Sequence, residues 1–231
     1  MTEVADPVAP VSRSVLSTQV KDRMLQWILE GELPPGSRIV ETQVARRLGT
    51  SQAPVREALR DLATLGLVEV HPYRGARVRE PAPEELVEAM EVRGELEAIA
   101  ARTAARTIDA GTLDRMRDLL AEMGASADRG DAHAQAVQNS EFHTCVIEAS
   151  RNRTIQRLWA MLEPFARSYL TATVPGADLR WLADRHAAIV DALASRDPDL
   201  AASAMRVHAR EAAGQVLRRT GAGDARRRES I

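Results

Sequence analysis

The apolar repeat of this chain switches from helical to alternating at Gly66, and that switch constrains the first eighty residues more than any other feature. From about Thr18 to Glu30 the residues Val20, Met24, Leu25, Ile28 and Leu29 recur at helical spacing, and Gly31 ends the run. Leu33-Pro34-Pro35-Gly36 is a turn by composition, and a short helix follows over about 41–48 with Val44, Ala45 and Leu48 on one face. Gly49 breaks that helix. Ser51 stands where a cap would accept an orphan backbone N–H, and Pro54 falls in the first turn of a third helix, where no donor is needed. This helix turns Val55, Ala58, Leu59, Leu62 and Leu65 inward. Beyond Gly66, two short strands at 67–70 and 76–79 bracket the turn His71-Pro72-Tyr73-Arg74-Gly75. Three helices and a hairpin make a winged helix-turn-helix, in which the third helix enters the major groove of double-stranded DNA and the hairpin is the wing.

The DNA-facing residues follow from the same periodicity. With the apolar stripe inward, the opposite side carries Gln52, Ala53, Arg56, Glu57 and Arg60. Arg56 can pair bidentately with a guanine, and Gln52 can read a base edge or a phosphate. Arg46, Arg47 and Arg74, the last beside Gly75 in the wing turn, are expected on phosphates. The competing reading of Arg56 and Arg60 is a solvated helix face paired with Glu57 and Asp61. Charge supports DNA contact: the net charge is −2, yet residues 37–79 hold eight arginines against four acids, while residues 81–220 hold 17 basic and 21 acidic side chains. A basic module before an acidic one suits a chain in which only the first meets a polyanion.

Pro81-Ala82-Pro83 separates the modules, and six helices are read beyond it, over about 84–107, 110–129, 132–149, 153–173, 178–195 and 198–219. The expected fold is therefore mainly α. A winged helix-turn-helix at 17–80 precedes an all-α antiparallel bundle of six to seven helices at 81–220, flanked by a leader at 1–16 and a basic tail at 221–231. An aromatic content of 3% argues against a β-sandwich. No apolar run reaches the roughly 18–20 residues that cross a bilayer, so no membrane role is expected. With the single cysteine Cys145, taken as core packing, and no signal-peptide pattern at the start, the chain reads as cytoplasmic.

Three of the five histidines fall on inward stripes: His143 beside Val146 and Ile147, His186 with Leu182, Ile189 and Leu193, and His208 with Met205 and Ala212. Each alone reads as a hydrogen-bonded core residue. Converging from separate helices, they could instead make a His₃ metal site, with Asn139 one turn before His143 as a fourth, oxygen ligand. His71 and His133 read as surface residues.

Residues 17–80 closely resemble the N-terminal domain of GntR-family bacterial transcription regulators, through Leu33-Pro-Pro-Gly-Ser, Ser51-Gln-Ala-Pro-Val-Arg-Glu-Ala-Leu-Arg and Tyr73-Arg-Gly-Ala-Arg-Val. The second half resembles the FCD-type effector domain of the FadR-like subgroup, through Arg93-Gly-Glu-Leu-Glu97, Phe142-His143, His186-Ala-Ala-Ile-Val-Asp-Ala-Leu and His208. The resemblance implies a homodimer on an inverted-repeat operator, and a divalent metal (zinc first, nickel or manganese as alternatives) held with a small carboxylate effector. The family's metal-binding aspartate position is Asn139 here, which removes one negative charge from the site. Arg93 and Arg167 are the expected clamps for the acid, Arg93 having the alternative of pairing with Glu97 on an exposed face. Two rival readings are a metal-responsive regulator without organic ligand and a His₃ metalloenzyme. The latter is disfavoured because Glu141, the nearby candidate base, lies off the His143 face.

Overall fold

Helix-breaking glycines and acidic caps divide the chain where the sequence places them. The computed structural model describes residues 13–71, 75–172 and 178–220, with side chains over 16–71, 75–165 and 178–218. The segments read as the leader and tail lie outside these for residues 1–12 and 221–231, as do Arg74 and the side chain of Arg167. Two compact units meet at Arg79 and Glu80.

In the first unit, α1 (Arg13–Leu29), β1 (Arg38–Ile39), α2 (Glu41–Arg47), α3 (Gln52–Thr64), β2 (Val68–His71) and β3 (Gly75–Val78) follow in order. Helix α1 begins inside the expected leader, because a first turn needs helix-permissive residues rather than an apolar stripe. Helix α1 packs on α3 over a core that includes Met24, Trp27, Ile28, Val55, Leu59 and Leu62. At the end of α3, Gly66 takes φ +71°, and the N–H groups of Gly66 and Leu67 donate to Ala63 and Leu62 carbonyls. That left-handed glycine closure turns the chain from helix into strand. The sheet is antiparallel in the order β1-β3-β2, with Val68 opposite Val78 and Arg38 opposite Arg77. Strand β1 is absent from the sequence reading, since two residues are too few to show alternation; buried Ile39 anchors it. Ser51 occupies the cap of α3 but makes no capping bond. Pro54, three residues on, has no N–H for it to accept.

The second unit comprises α4 (Pro83–Thr107), α5 (Ala110–Asp128), α6 (Ala132–Ala149), α7 (Arg153–Ala172), α8 (Leu179–Asp184), α9 (Ala187–Ala194) and α10 (Pro198–Thr220). Side-chain oxygens satisfy the opening turns: Asp109 accepts from Thr112 N–H at 2.7 Å, Asp131 from Ala134 at 3.0 Å, and Asp178 from Trp181 at 2.9 Å. The expected single helix over 178–195 is broken at Arg185 and His186 into α8 and α9. There the His186 ring bonds back to the chain, a local alternative to helix continuation that apolar spacing does not reveal. Phe142, Met116, Leu119, Met123, Ile147, Ile189, Leu193 and Met205 fill the core.

Helix α10 has its most extensive packing along α4, through buried Ala98, Ala101, Ala105, Ala201 and Ala202. A Cβ built on Gly94 would stand 2.4 Å from the Ala209 Cβ. In an open helix, Gly→Ala stabilises by about 1 kcal/mol. Here Gly94→Ala is expected to destabilise by about 1–3 kcal/mol through overpacking, a reversed sign that thermal unfolding reads directly. An unchanged or raised melting temperature would contradict the close α4–α10 seam.

Candidate functional site

On the first unit, the geometry of α3 leaves Gln52, Ala53, Arg56 and Arg60 exposed while Val55, Ala58, Leu59 and Leu62 are buried. Arg56 Nε donates to Glu41 Oε2 at 2.8 Å and Nη2 to Gln52 Oε1 at 3.3 Å, so the guanidinium is held by α2 and its own helix, and not by Glu57 or Asp61. Arg46 is exposed. Arg47 is engaged within its own unit: its guanidinium stacks 3.8 Å from the Trp27 ring centroid and pairs with Glu32 at 2.6 Å. A phosphate contact by Arg47 therefore competes with that pair. Gly75 opens β3 with φ +83°. The sequence reading overlooked Arg38 and Arg77, which face each other across β1 and β3, both exposed, and extend the basic surface onto the sheet.

On the second unit, α6, the α8–α9 turn and α10 bring His143, His186 and His208 together, all buried, with one ring nitrogen from each within 4.8 Å of the others. Nitrogens bound at ~2.05 Å around a tetrahedral ion stand ~3.3 Å apart, so modest ring rotations close the set. Ring centroids are 5.4 Å apart for His143–His186, 5.0 Å for His143–His208 and 4.3 Å for His186–His208. Asn139 lines the same cavity, of about 50 Å³, with Arg93, Glu97 and Arg185.

The electrostatics keep the imidazoles neutral. Burial pushes His186 and His208 well below the usual histidine range, and neighbouring rings push further in the same direction. Burial also lowers His143, with Glu97 opposing. Neutral rings are the metal-binding form. His186 Nδ1–H donates to the Ala183 carbonyl at 3.1 Å, which leaves Nε2 as a bare acceptor, and that atom is buried without a hydrogen-bond partner. His208 Nδ1 is buried and unpartnered as well. His143 Nδ1 lies 3.1 Å from Glu97 Oε1, but off the axis a hydrogen bond requires, so the contact is electrostatic.

Arg93 is not on an exposed face, as the spacing suggested. It is buried, donates from Nε to Glu97 Oε1 at 2.7 Å and lies 4.7 Å over the Trp159 ring. Helix α4 packs against α6 and α7, which shuts that face from solvent. Burial alone would raise the Glu97 carboxyl, yet Arg93 and His143 outweigh it and hold the group at about 2. In this cavity, Glu97 and Arg185 are further residues that sequence reasoning misses. Glu97 stood in a quoted motif as a pairing partner only, and Arg185 was read inside an unbroken helix. Burial pushes Arg185 down to about 10, Glu211 opposing, so it is charged at neutral pH. Glu141 is exposed and paired with Arg115 at 2.8 Å. His71 and His133 are exposed, and Cys145 is partly buried against the core. Among the described residues no helix is long and apolar enough to cross a membrane.

A winged helix-turn-helix with an exposed, arginine-bearing third helix, followed by a helical bundle with an internal cavity, defines a DNA-binding transcription regulator. The chain belongs to the GntR family of bacterial regulatory proteins, whose model matches residues 16–78, and carries an FCD domain over residues 88–211. It is similar to the probable D-xylose utilization operon transcriptional repressor of Paenarthrobacter nicotinovorans, 37% identical over 198 residues that span 86% of this chain and 87% of that one. It is 27% identical to the HTH-type transcriptional regulator McbR of Escherichia coli strain K12 over 188 residues, 80% of this chain and 85% of that one. The solved structure of E. coli McbR/YncC superposes with a TM-score of 0.74 at 25% identity, covering 91% of this chain and 100% of that chain. A putative GntR regulator from Rhodococcus sp. RHA1 shares the fold at a TM-score of 0.72, 23% identity, and coverage of 87% and 97%.

Arg56, expected at a base edge, and Arg46, expected on a phosphate, can be told apart by mutation. On an operator selected from random duplexes, Arg56→Ala is expected to cost about 1–3 kcal/mol and to relax preference at one base pair, whereas Arg46→Ala weakens all sequences alike and lowers the salt slope by about 1. Equal losses on operator and random DNA for Arg56→Ala, read by fluorescence anisotropy, would contradict a base contact.

Proposed function

We propose that this regulator binds its operator as a homodimer and that a small carboxylate, held beside a divalent metal in the FCD domain, controls that binding. The observation that carries the metal is the convergence of three buried histidines from three separate segments, two of which, His186 at Nε2 and His208 at Nδ1, present a ring nitrogen with no hydrogen-bond partner. An orphan buried polar atom costs free energy, and an ion of matching chemistry would remove that cost. The Ala183 carbonyl behind His186 fixes its tautomer in the way outer partners orient metal-bound histidines, and Glu97 stands behind His143 in the corresponding place. His143, His186 and His208 would hold the ion, with Asn139 as an oxygen donor, and the ion would supply an electrophilic anchor for a carboxylate. Zinc suits three imidazoles and an open position, and nickel or manganese are the alternatives.

For the dimer, Val92 and Ile99 stand seven residues apart on α4, both more than half exposed, an apolar strip that an isologous contact would cover. Ligand control requires that the effector bind two arrangements of the protein unequally, which is the coupling free energy between the sites. The similarity to a repressor named for D-xylose utilization puts sugars and sugar acids in the screen beside simple organic acids.

The test compares operator affinity of chelator-treated and zinc-loaded protein across that screen, with Asn139→Asp alongside. One acid is expected to shift operator affinity by about five- to 150-fold, the usual range of such coupling, in the metal-loaded protein, with Asn139→Asp tightening the metal. Operator affinity that follows zinc alone would support the metal-responsive reading instead. No response to metal or acid would overturn both.

A further inference from the structure

The cavity contains two arginines in opposite situations. Arg93 is satisfied: Glu97 neutralises it and Trp159 covers its face. Arg185, at the α8–α9 turn, has a side chain only 6% exposed, yet neither its Nε nor its Nη2 has a hydrogen-bond partner. Its guanidinium carbon lies 4.6 Å over the Trp181 ring, and the nearest carboxylate, Glu211 on α10, stands 3.4 Å from Nε and is itself nearly half exposed. A buried guanidinium normally has its planar fork of donors filled, because a desolvated charge without partners is costly.

Arg185 also separates two spaces. It and His208 line both the inner cavity of about 50 Å³ and an outer groove of about 560 Å³ between α9 and α10, to which Leu200, Val207 and Glu211 contribute. The inner space holds on the order of three or four waters. An organic acid larger than that would have to span this shared wall, where Arg185 and His208 are reached from the groove side.

We propose that Arg185 is the anion receptor of the effector site and that Glu211 is the internal anion which the effector's carboxylate displaces. The ligand class is a small carboxylate whose acid group takes the Nε and Nη2 donors of Arg185 while its remaining atoms extend toward the histidines. This rests on the carboxylate part of the function proposed above but does not require the metal. Exchange of Glu211 for a free acid uncouples α10 from the α8–α9 turn, which gives the ligand a structural consequence in the helix that carries His208.

The test uses glycolate, succinate and D-gluconate, each beside its neutral amide, on the full chain with and without zinc, read by saturable thermal stabilisation. At least one acid, and not its amide, is expected to bind the wild type. Arg185→Gln weakens that binding by about ten- to a hundredfold, Arg185→Lys by less, and Glu211→Gln tightens it by about tenfold, in line with a charge-assisted pair gained or freed. Glu211 is at the surface, so its variant folds even where Arg185→Gln does not. Binding that Arg185→Gln and Glu211→Gln leave unchanged, or no binding by any of the acids, overturns the proposal. Acid binding that follows these variants in protein unable to take zinc would sustain it while refuting the metal; zinc binding with Arg185-independent acid binding would do the reverse.

Discussion

Leaving a buried polar atom without a hydrogen-bond partner costs about 1–3 kcal/mol, and the FCD domain accepts that at two neighbouring imidazole nitrogens, His186 Nε2 and His208 Nδ1. The rest of the domain is arranged around the cost. Helix α6 delivers His143, α10 delivers His208, and the chain interrupts a helix between α8 and α9 so that the His186 ring can bond the Ala183 carbonyl and aim its other nitrogen inward. The Arg93–Glu97 pair, also buried, places a carboxylate beside His143. An apolar core of the same volume would often be at least as stable, which fits the binding role proposed for the polar cluster.

The DNA-binding unit follows a different logic. Its core is largely apolar, the residues expected to meet DNA are on the exposed side of α3, and the Arg56–Glu41 pair holds one of them. Exposed ion pairs of this kind contribute little to stability, so exchanging Glu41 for a guanine would cost Arg56 little. Within this unit, residues 37–79 hold eight arginines against four acids, although the whole chain is close to neutral.

Periodicity made the long elements legible. The inward stripes of α3, α6 and α10 place Leu59, His143 and His208 correctly, whereas the capping by Asp109, Asp131 and Asp178 is seen in the structure. What stayed hidden was local hydrogen bonding and neighbour identity. The helix break at Arg185 depends on a side chain bonding three residues back, β1 on a two-residue pairing with β3, and the silence of the Ser51 cap on a proline that lacks a donor. Arg93 was recognised as pairing with Glu97, but whether the pair faced solvent or core depended on α6 and α7, elements distant in sequence.

The account turns on the three buried histidines holding one ion. Calorimetric titration of chelator-stripped, tag-free protein with zinc tests it most directly, beside His143→Ala, His186→Ala and His208→Ala. One ion per chain in the wild type, lost or much weakened in each variant, is the predicted result. Wild-type protein that takes up no zinc, nickel or manganese, or that binds metal equally well without these histidines, would contradict it.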